Sequence, residues 1–292
     1  MLTNVTVLLY AAATWAFTFI FLKIEEREVL PITVMAGRAS VGFLTLFIAS
    51  LIMRKDLKAY LNKLWMSLIF AILAITVLWT ALAFGQEYLT AGLASVMVSV
   101  VPLVTFVLLV FILREERFSI VGLIGLILGV AGIVMVIGLN NILGGGSTLF
   151  GVLLIAGGFI VFAINGVLIG KWAQGMDPII NTTYFLGLGA LLLIALAFIF
   201  ESPIKFPLTK ENILSELALG VICTGTAYFG YFYLIHKAGS YFSSFLFYFI
   251  PVFGLLAGHL ILKEHVAISQ MIGVAVIIIG VYLINREKAK EG

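Results

Sequence analysis

The stretch SVMVSVVPLVTFVLLVFILREER, Ser95–Arg117, reads on its own as an apolar membrane helix closed by a charge cluster. A second stretch, SFLFYFIPVFGLLAGHLILKEH, occupies Ser244–His265. Shifted by 149 residues, the two agree at Ser95/Ser244, Pro102/Pro251, Ile112/Ile261, Leu113/Leu262 and Glu115/Glu264, and Arg114 faces Lys263. The correspondence runs further. Lys23 matches Lys171, Pro31 matches Pro178, Ala91-Gly92 resembles Ala238-Gly239, and Gly125 and Gly132 match Gly273 and Gly280. The chain therefore reads as one unit written twice: a first repeat over 1–139, a linker over 140–148 around LNNILGGGST, and a second repeat over 149–292.

Composition sets the solvent. The chain is 63% hydrophobic and 11% charged, with a mean hydropathy of +1.21, whereas soluble domains run near 45–50% apolar and 25% charged. A bilayer core takes about 20 apolar residues per helix. Cutting at charges and turn residues predicts ten spans: 4–22, 32–53, 64–86, 91–113, 118–139, 149–170, 179–200, 213–235, 240–262 and 267–285. No basic region or cleavage site precedes the first run, so it reads as a retained helix. The expected fold class is an all-α integral membrane protein, ten helices in two five-helix repeats around a central cavity. Five is odd, so the second repeat enters the membrane inverted, the arrangement on which secondary transporters are built.

Charge supplies orientation and exclusions. Arg54, Lys55, Lys58, Lys63, Arg114, Arg117, Lys171, Lys237, Arg286, Lys288 and Lys290 fall on the N-terminal side, against Lys23, Arg27, Lys205, Lys210 and Lys263 on the other. By the positive-inside rule both termini are expected in the cytoplasm of a multi-pass cell-membrane protein. A net charge of +3, scattered along the chain, argues for no nucleic-acid partner. A single cysteine, Cys223, excludes an intrachain disulfide and a cysteine metal cluster. His236, His259 and His265 are separated and no DxxD-like cluster occurs, so neither a metal nor a cofactor is expected. A membrane-embedded lipid-modifying enzyme is the reading from a different class, and those missing clusters weigh against it.

With these residues assembled, the sequence resembles the drug/metabolite transporter superfamily, in particular its ten-helix EamA-type members. The resemblance rests on Trp15 with Lys23, on Pro31 with Arg38, on YLTAGLASVMVSVVPL at 88–103, and on a charge cluster followed by G-x6-G in each half. It covers essentially the whole chain and implies two inverted bundles around a cavity, helices 5 and 10 at the periphery, and alternating access. Helix 6 departs from the family pattern, with Val161 or Phe162 where the tryptophan often recurs. Helix 7 lacks an Arg38 counterpart, with Tyr184 and Phe185 in its place.

The candidate transport residues follow from depth and face. Pro102 and Pro251 each free a carbonyl in mid-helix and are the expected hinges. Ser95 and Ser99 share a face with Pro102, and Ser244 and Tyr248 share one with Pro251. These faces are read either as cavity walls or as close helix packing. Arg38 lies seven residues past Pro31, about 10 Å into the membrane at 1.5 Å per residue. It is expected to bind a substrate carboxylate or to brace a gate through Glu87 or Glu26. Glu87 and His259 are candidate gating or coupling groups, since no acidic residue stands near the middle of a predicted span. Trp15, Phe19, Trp79, Tyr228 and Tyr231 suit an aromatic cavity, and Asn165 is a lone mid-depth amide needing a partner. The glycines at 122, 125, 129 and 132 form a stripe that packs on the chain's own helices or makes a weak dimer contact.

The functional expectation is a secondary transporter that exports small metabolites, amino acids or related compounds foremost. Carriage of an organic cation such as choline, or of a lipophilic drug, is the alternative. The expected partners are a small-molecule substrate and the lipid bilayer, for a monomer or weak dimer.

Overall fold

The computed structural model describes residues 2–115 and 117–288, without the side chains of 232, 235, 236, 238–242, 244 and 285–288. Glu116 of the REER cluster, the side chains of Ser244 and His236, and Lys290 thus lie outside the described residues. The described chain is helical, with no strand.

The spans begin where the sequence supplies caps. Helix α1, Leu2–Glu25, leads by a short turn into α2, Pro31–Ile52, which starts on a proline whose missing N–H costs nothing there. Helix α3, Leu61–Gln86, is followed by α4, Ala91–Ile112, where the Thr90 side chain accepts from Leu93 N–H. Helix α5, Ile120–Ile137, is capped by Ser119 and stopped by Gly138 at φ 86°. After the linker come α6, Gly146–Trp172, and α7, Pro178–Phe200, the latter capped by Asp177 with Pro178 next. Thr209 caps α8, which runs through Lys210–Leu217, Ala218–Thr226 and Ala227–Ser244. Helix α9, Leu246–Leu262, ends on Lys263 at φ 57°, and α10, Ile268–Lys288, closes the chain. Eight of these are long and apolar enough to cross a membrane, and α9 and α10 add two shorter apolar helices.

One predicted boundary is wrong. HKAG at 236–239 was expected to end one span and begin the next, but helix continues through it and breaks at Phe245. A single glycine costs a helix only about 1 kcal/mol and does not by itself stop it. Helix α9 is correspondingly short, with Pro251 inside it. In α4 the turn before Pro102, Met97–Ser99, tightens to 3₁₀ geometry. Three stretches widen to π geometry: Leu108–Ile112 at the end of α4, and Ala71–Val77 of α3 and Ala218–Thr226 of α8, which occupy corresponding positions in the sequence repeat.

The main pairings repeat between the halves. Helix α1 packs on α9 as α6 packs on α4; α3 on α6 as α8 on α1; α2 on α8 as α7 on α3. Helices α2 and α7, α4 and α9, and α5 and α10 pair across the two halves. The most extensive contact is α5 with α10, and the glycine stripe explains it. A Cβ on Gly125 would meet the Gly280 carbonyl at 2.5 Å, and one on Gly132 the Gly273 carbonyl at 2.7 Å. Gly122 and Gly129 face the other way, against Phe106 and Leu103 of α4.

Gly132→Ala is accordingly expected to cost about 1–3 kcal/mol in detergent unfolding, the range for overpacking. Gly157→Ala, where a Cβ meets open space, is expected to be neutral or to gain up to about 1 kcal/mol. Equal responses would mean that the backbone contact is not what joins α5 to α10.

Candidate functional site

Two neighbouring spaces that share four lining residues lie among α1–α4 and α6–α9. The larger, about 860 Å³, is flanked by Glu115, Lys171, Gln174, Met176 and Pro178 at the ends of α4, α6 and the start of α7. This end is called the mouth; it is the face that carries the start of α1. The cavity narrows inward between rings of Trp15, Phe162, Tyr228 and Phe247, which also line a second chamber of about 70 Å³. Trp15 organises this neck: its ring meets Tyr228 edge-on at 5.7 Å, Tyr231 at 5.3 Å and Phe247 at 6.3 Å. Asn165 and Asn181 line the larger space, and the Asn165 Oδ1 has no hydrogen-bond partner.

Arg38 lines the chamber, 5% exposed. Its guanidinium lies 4.0 Å over the Trp79 ring, its Nε donates to Thr224 Oγ1 at 3.0 Å, and its Nη1 is unpaired. Both partners sit just beyond a π-helical stretch or within one, Trp79 after 71–77 and Thr224 inside 218–226. Such wide turns shift the following side chains off the regular helical face. The Glu216 carboxyl lies against Gly37, the residue before Arg38, whereas Glu87 is exposed at the end of α3.

The opposite face is tied across helices. Lys23 Nζ donates to the carbonyls of Gln86 at 2.5 Å and Leu89 at 3.1 Å, and Gln86 Nε2 donates to the Phe19 carbonyl. The Glu264 carboxylate accepts from the N–H groups of Ala91 at 2.7 Å and Gly92 at 2.9 Å, at the start of α4. Glu201 does the same for α2, accepting from Ile32 and Thr33 N–H at 2.8 Å each and from Thr33 Oγ1. A carboxylate on free amides at a helix N-terminus meets both their hydrogen bonds and the dipole. At the mouth, Lys171 and Glu115 instead pair with each other at 2.6 Å. Lys55–Asp177 at 2.5 Å, Tyr60 to the Gly175 carbonyl and Tyr184 to the Leu57 carbonyl fasten the α2–α3 loop beside it.

The sequence-derived residues divide. Trp15, Phe19, Trp79, Tyr228, Arg38, Tyr231 and Asn165 line one or both spaces. Ser95, Ser99 and Tyr248 line neither. Ser95 donates to the Gly92 carbonyl and fills the space over Gly254, while Tyr248 donates to the Val281 carbonyl of α10 at 2.8 Å. Ser95 and Tyr248 thus face the packing between α4, α9 and α10, while the buried Ser99 Oγ has no hydrogen-bond partner among the described residues. Glu87 is exposed at the end of α3, and His259 shares its Nδ1 with the Glu264 carbonyl. Sequence reasoning missed Glu216, Glu201 and Thr224. Each stands near a helix end or among small residues, and only the fold brings it against α2.

Glu264→Gln and Glu201→Gln are each expected to lower stability by about 1–3 kcal/mol, since each weakens charge-assisted bonds to two backbone amides. Exposed Glu211 changed to Gln should stay within about 0.5 kcal/mol. Thermal unfolding at constant pH compares the three.

A family model for the EamA-like transporter family matches residues 2–138 and again 149–286. The uncharacterized transporter YvbV of Bacillus subtilis is 30% identical over 269 residues, covering 89% of this chain and 85% of its own. YoaV of the same organism is 25% identical, covering 92% of each. An uncharacterized transporter of Archaeoglobus fulgidus is 26% identical over 97% of this chain and 98% of its own. One crystal structure, 18% identical, superposes over 96% of both chains with a TM-score of 0.71 and shares the fold. The chain belongs to the EamA-like transporter family and is a membrane transporter, not an enzyme.

Proposed function

We propose that the chain exports small amphipathic metabolites bearing an anionic group, amino acids and related compounds foremost, by alternating access across the cell membrane. The observation that carries the reading is the end of the path: an aromatic neck leading to a buried arginine with an unpaired Nη1. Rings accept the apolar body of a ligand, and the guanidinium accepts its carboxylate by charge-assisted bonds. Carriage of an organic cation would use the same rings by cation–π contact. The positive charge of Arg38 weighs against it.

Alternating access is supported by the residues written twice. Lys23 and Lys171 are counterparts, as are Glu264 and Glu115. Lys23 and Glu264 fasten the backbone around α4 on the face away from the mouth. Among the described residues, their counterparts at the mouth pair with each other. In this reading the two halves are inverted repeats with both termini cytoplasmic, and the mouth is the cytoplasmic entrance. In the alternate state Lys171 and Glu115 fasten the backbone around Ala238-Gly239, while Lys23 and Glu264 let go. The mirrored hinges at Pro102 and Pro251 are where each half bends.

In proteoliposomes, counterflow of L-phenylalanine or another member of an amino-acid panel is expected, with no counterflow of choline. Arg38→Gln and Trp15→Ala should each reduce it at least tenfold with folded yield near wild type. Tyr248→Ala should reduce folded yield and transport in parallel. Choline counterflow that survives Arg38→Gln would sink the amino-acid reading.

A further inference from the structure

Two acidic residues beyond the inner chamber have no role in the account so far. Glu25, at the end of α1, is wholly buried, and Glu216, in the first segment of α8, is 8% exposed. None of their four carboxyl oxygens accepts a hydrogen bond from a donor among the described residues. Helix α1 packs on the Lys210–Leu217 segment of α8 that carries Glu216, and the two carboxyls are near enough to act on each other. A hydrogen bond between them requires that the pair hold a proton, because two ionised carboxylates have nothing to donate.

The surroundings are built for the pair. Glu216 lies flat against α2 at Gly37, where an added Cβ would come within 2.8 Å of its Cδ. The next residue is Arg38, whose charge acts on Glu216 and whose own Nη1 is orphaned at 5% exposure. The other charged and titratable groups acting here are Glu26 on the α1–α2 turn and, around Arg38, Cys223 and Tyr228 of α8. Asn212 of α8 ties Glu28 nearby at 2.9 Å.

We propose that Glu25 and Glu216 form a proton-binding site on the side of Arg38 away from the cavity, which couples proton uptake to the charge Arg38 presents to the chamber. With one shared proton the pair is a single negative charge that offsets the guanidinium. With two protons it is neutral, and Arg38 turns its full charge toward a cavity anion. Protons and an anionic ligand then favour each other's binding by the same factor, as linkage requires. The proton comes from, and returns to, water at the face fastened by Lys23 and Glu264. The identity of the anion rests on the transport reading; the titration of the pair does not.

The test needs no substrate. Infrared difference spectra of the purified protein, recorded against pH, report the band of a protonated carboxyl. Burial pushes Glu26 up to about 9 against the lowering pull of Lys23, so every protein carries Glu26→Gln to remove its contribution. A titrating carboxyl band is expected, lost on adding either Glu25→Gln or Glu216→Gln. Either glutamine can donate its amide to the remaining carboxylate, so both variants should fold. Adding Arg38→Gln should make the band persist to higher pH, by at least one unit, through loss of the opposing charge. The proposal is overturned if no band titrates or if it survives both Glu→Gln changes. It is equally overturned if Arg38→Gln leaves the titration in place, or if sodium at constant ionic strength displaces the proton.

Discussion

The carboxylate of Glu264 on the amides of Ala91 and Gly92 is the contact on which the rest of the structure depends. It joins the end of α9 to the start of α4 on the face away from the mouth. Its geometry is enforced by glycines. A Cβ on Gly92 would stand 3.2 Å from Glu264 Oε2, and one on Gly258 would meet the same atom. Lys23 adds the complementary contact, a cation on the carbonyls that end α3. The two ends of adjoining helices are thus satisfied by side chains from elsewhere in the chain, which in a low-dielectric environment is worth more than at a wet surface.

Because these contacts are made by charged groups on backbone, they tolerate no slow deformation. In the proposed transport cycle they are made or they are lost, which suits a bistable gate better than a flexible one. The mouth holds the same two residue types, Lys171 and Glu115, in a looser surface pair with side chains 38% and 47% exposed. An exposed pair contributes little, about 0–1 kcal/mol. Both members of that pair line the 860 Å³ space.

Much of this was legible in the sequence, and for a physical reason. Span count, the α5–α10 glycines and the paired Lys and Glu positions are set by lipid and by backbone approach, which act on residue type and spacing alone. Trp15, Tyr228 and Tyr231 were read from the sequence as aromatic cavity residues and line the spaces, whereas Arg38, read as a gating or coupling group, lines the inner chamber as well. For Ser95 and Tyr248 the sequence left cavity wall and helix packing open, because a hydroxyl on a small-residue face serves both; the structure places Ser95 on the Gly92 carbonyl and Tyr248 on the Val281 carbonyl. The Glu25–Glu216 contact was not legible. Each acid lies near a helix end, where a charge ordinarily reaches water, and only the packing of α1 and α2 on the first segment of α8 brings Glu216 under cover.

The central claim is that the two faces are fastened in alternation, and pulsed electron paramagnetic resonance tests it most directly. Spin labels at Glu87 and His265 report the fastened face, and labels at Phe118 and Lys237 report the mouth, all on exposed positions. Replacing Lys23 by Ala together with Glu264 by Gln is predicted to lengthen the first distance and shorten the second in the same sample. A longer first distance with an unchanged second would mean that the face has merely loosened, and would contradict the account.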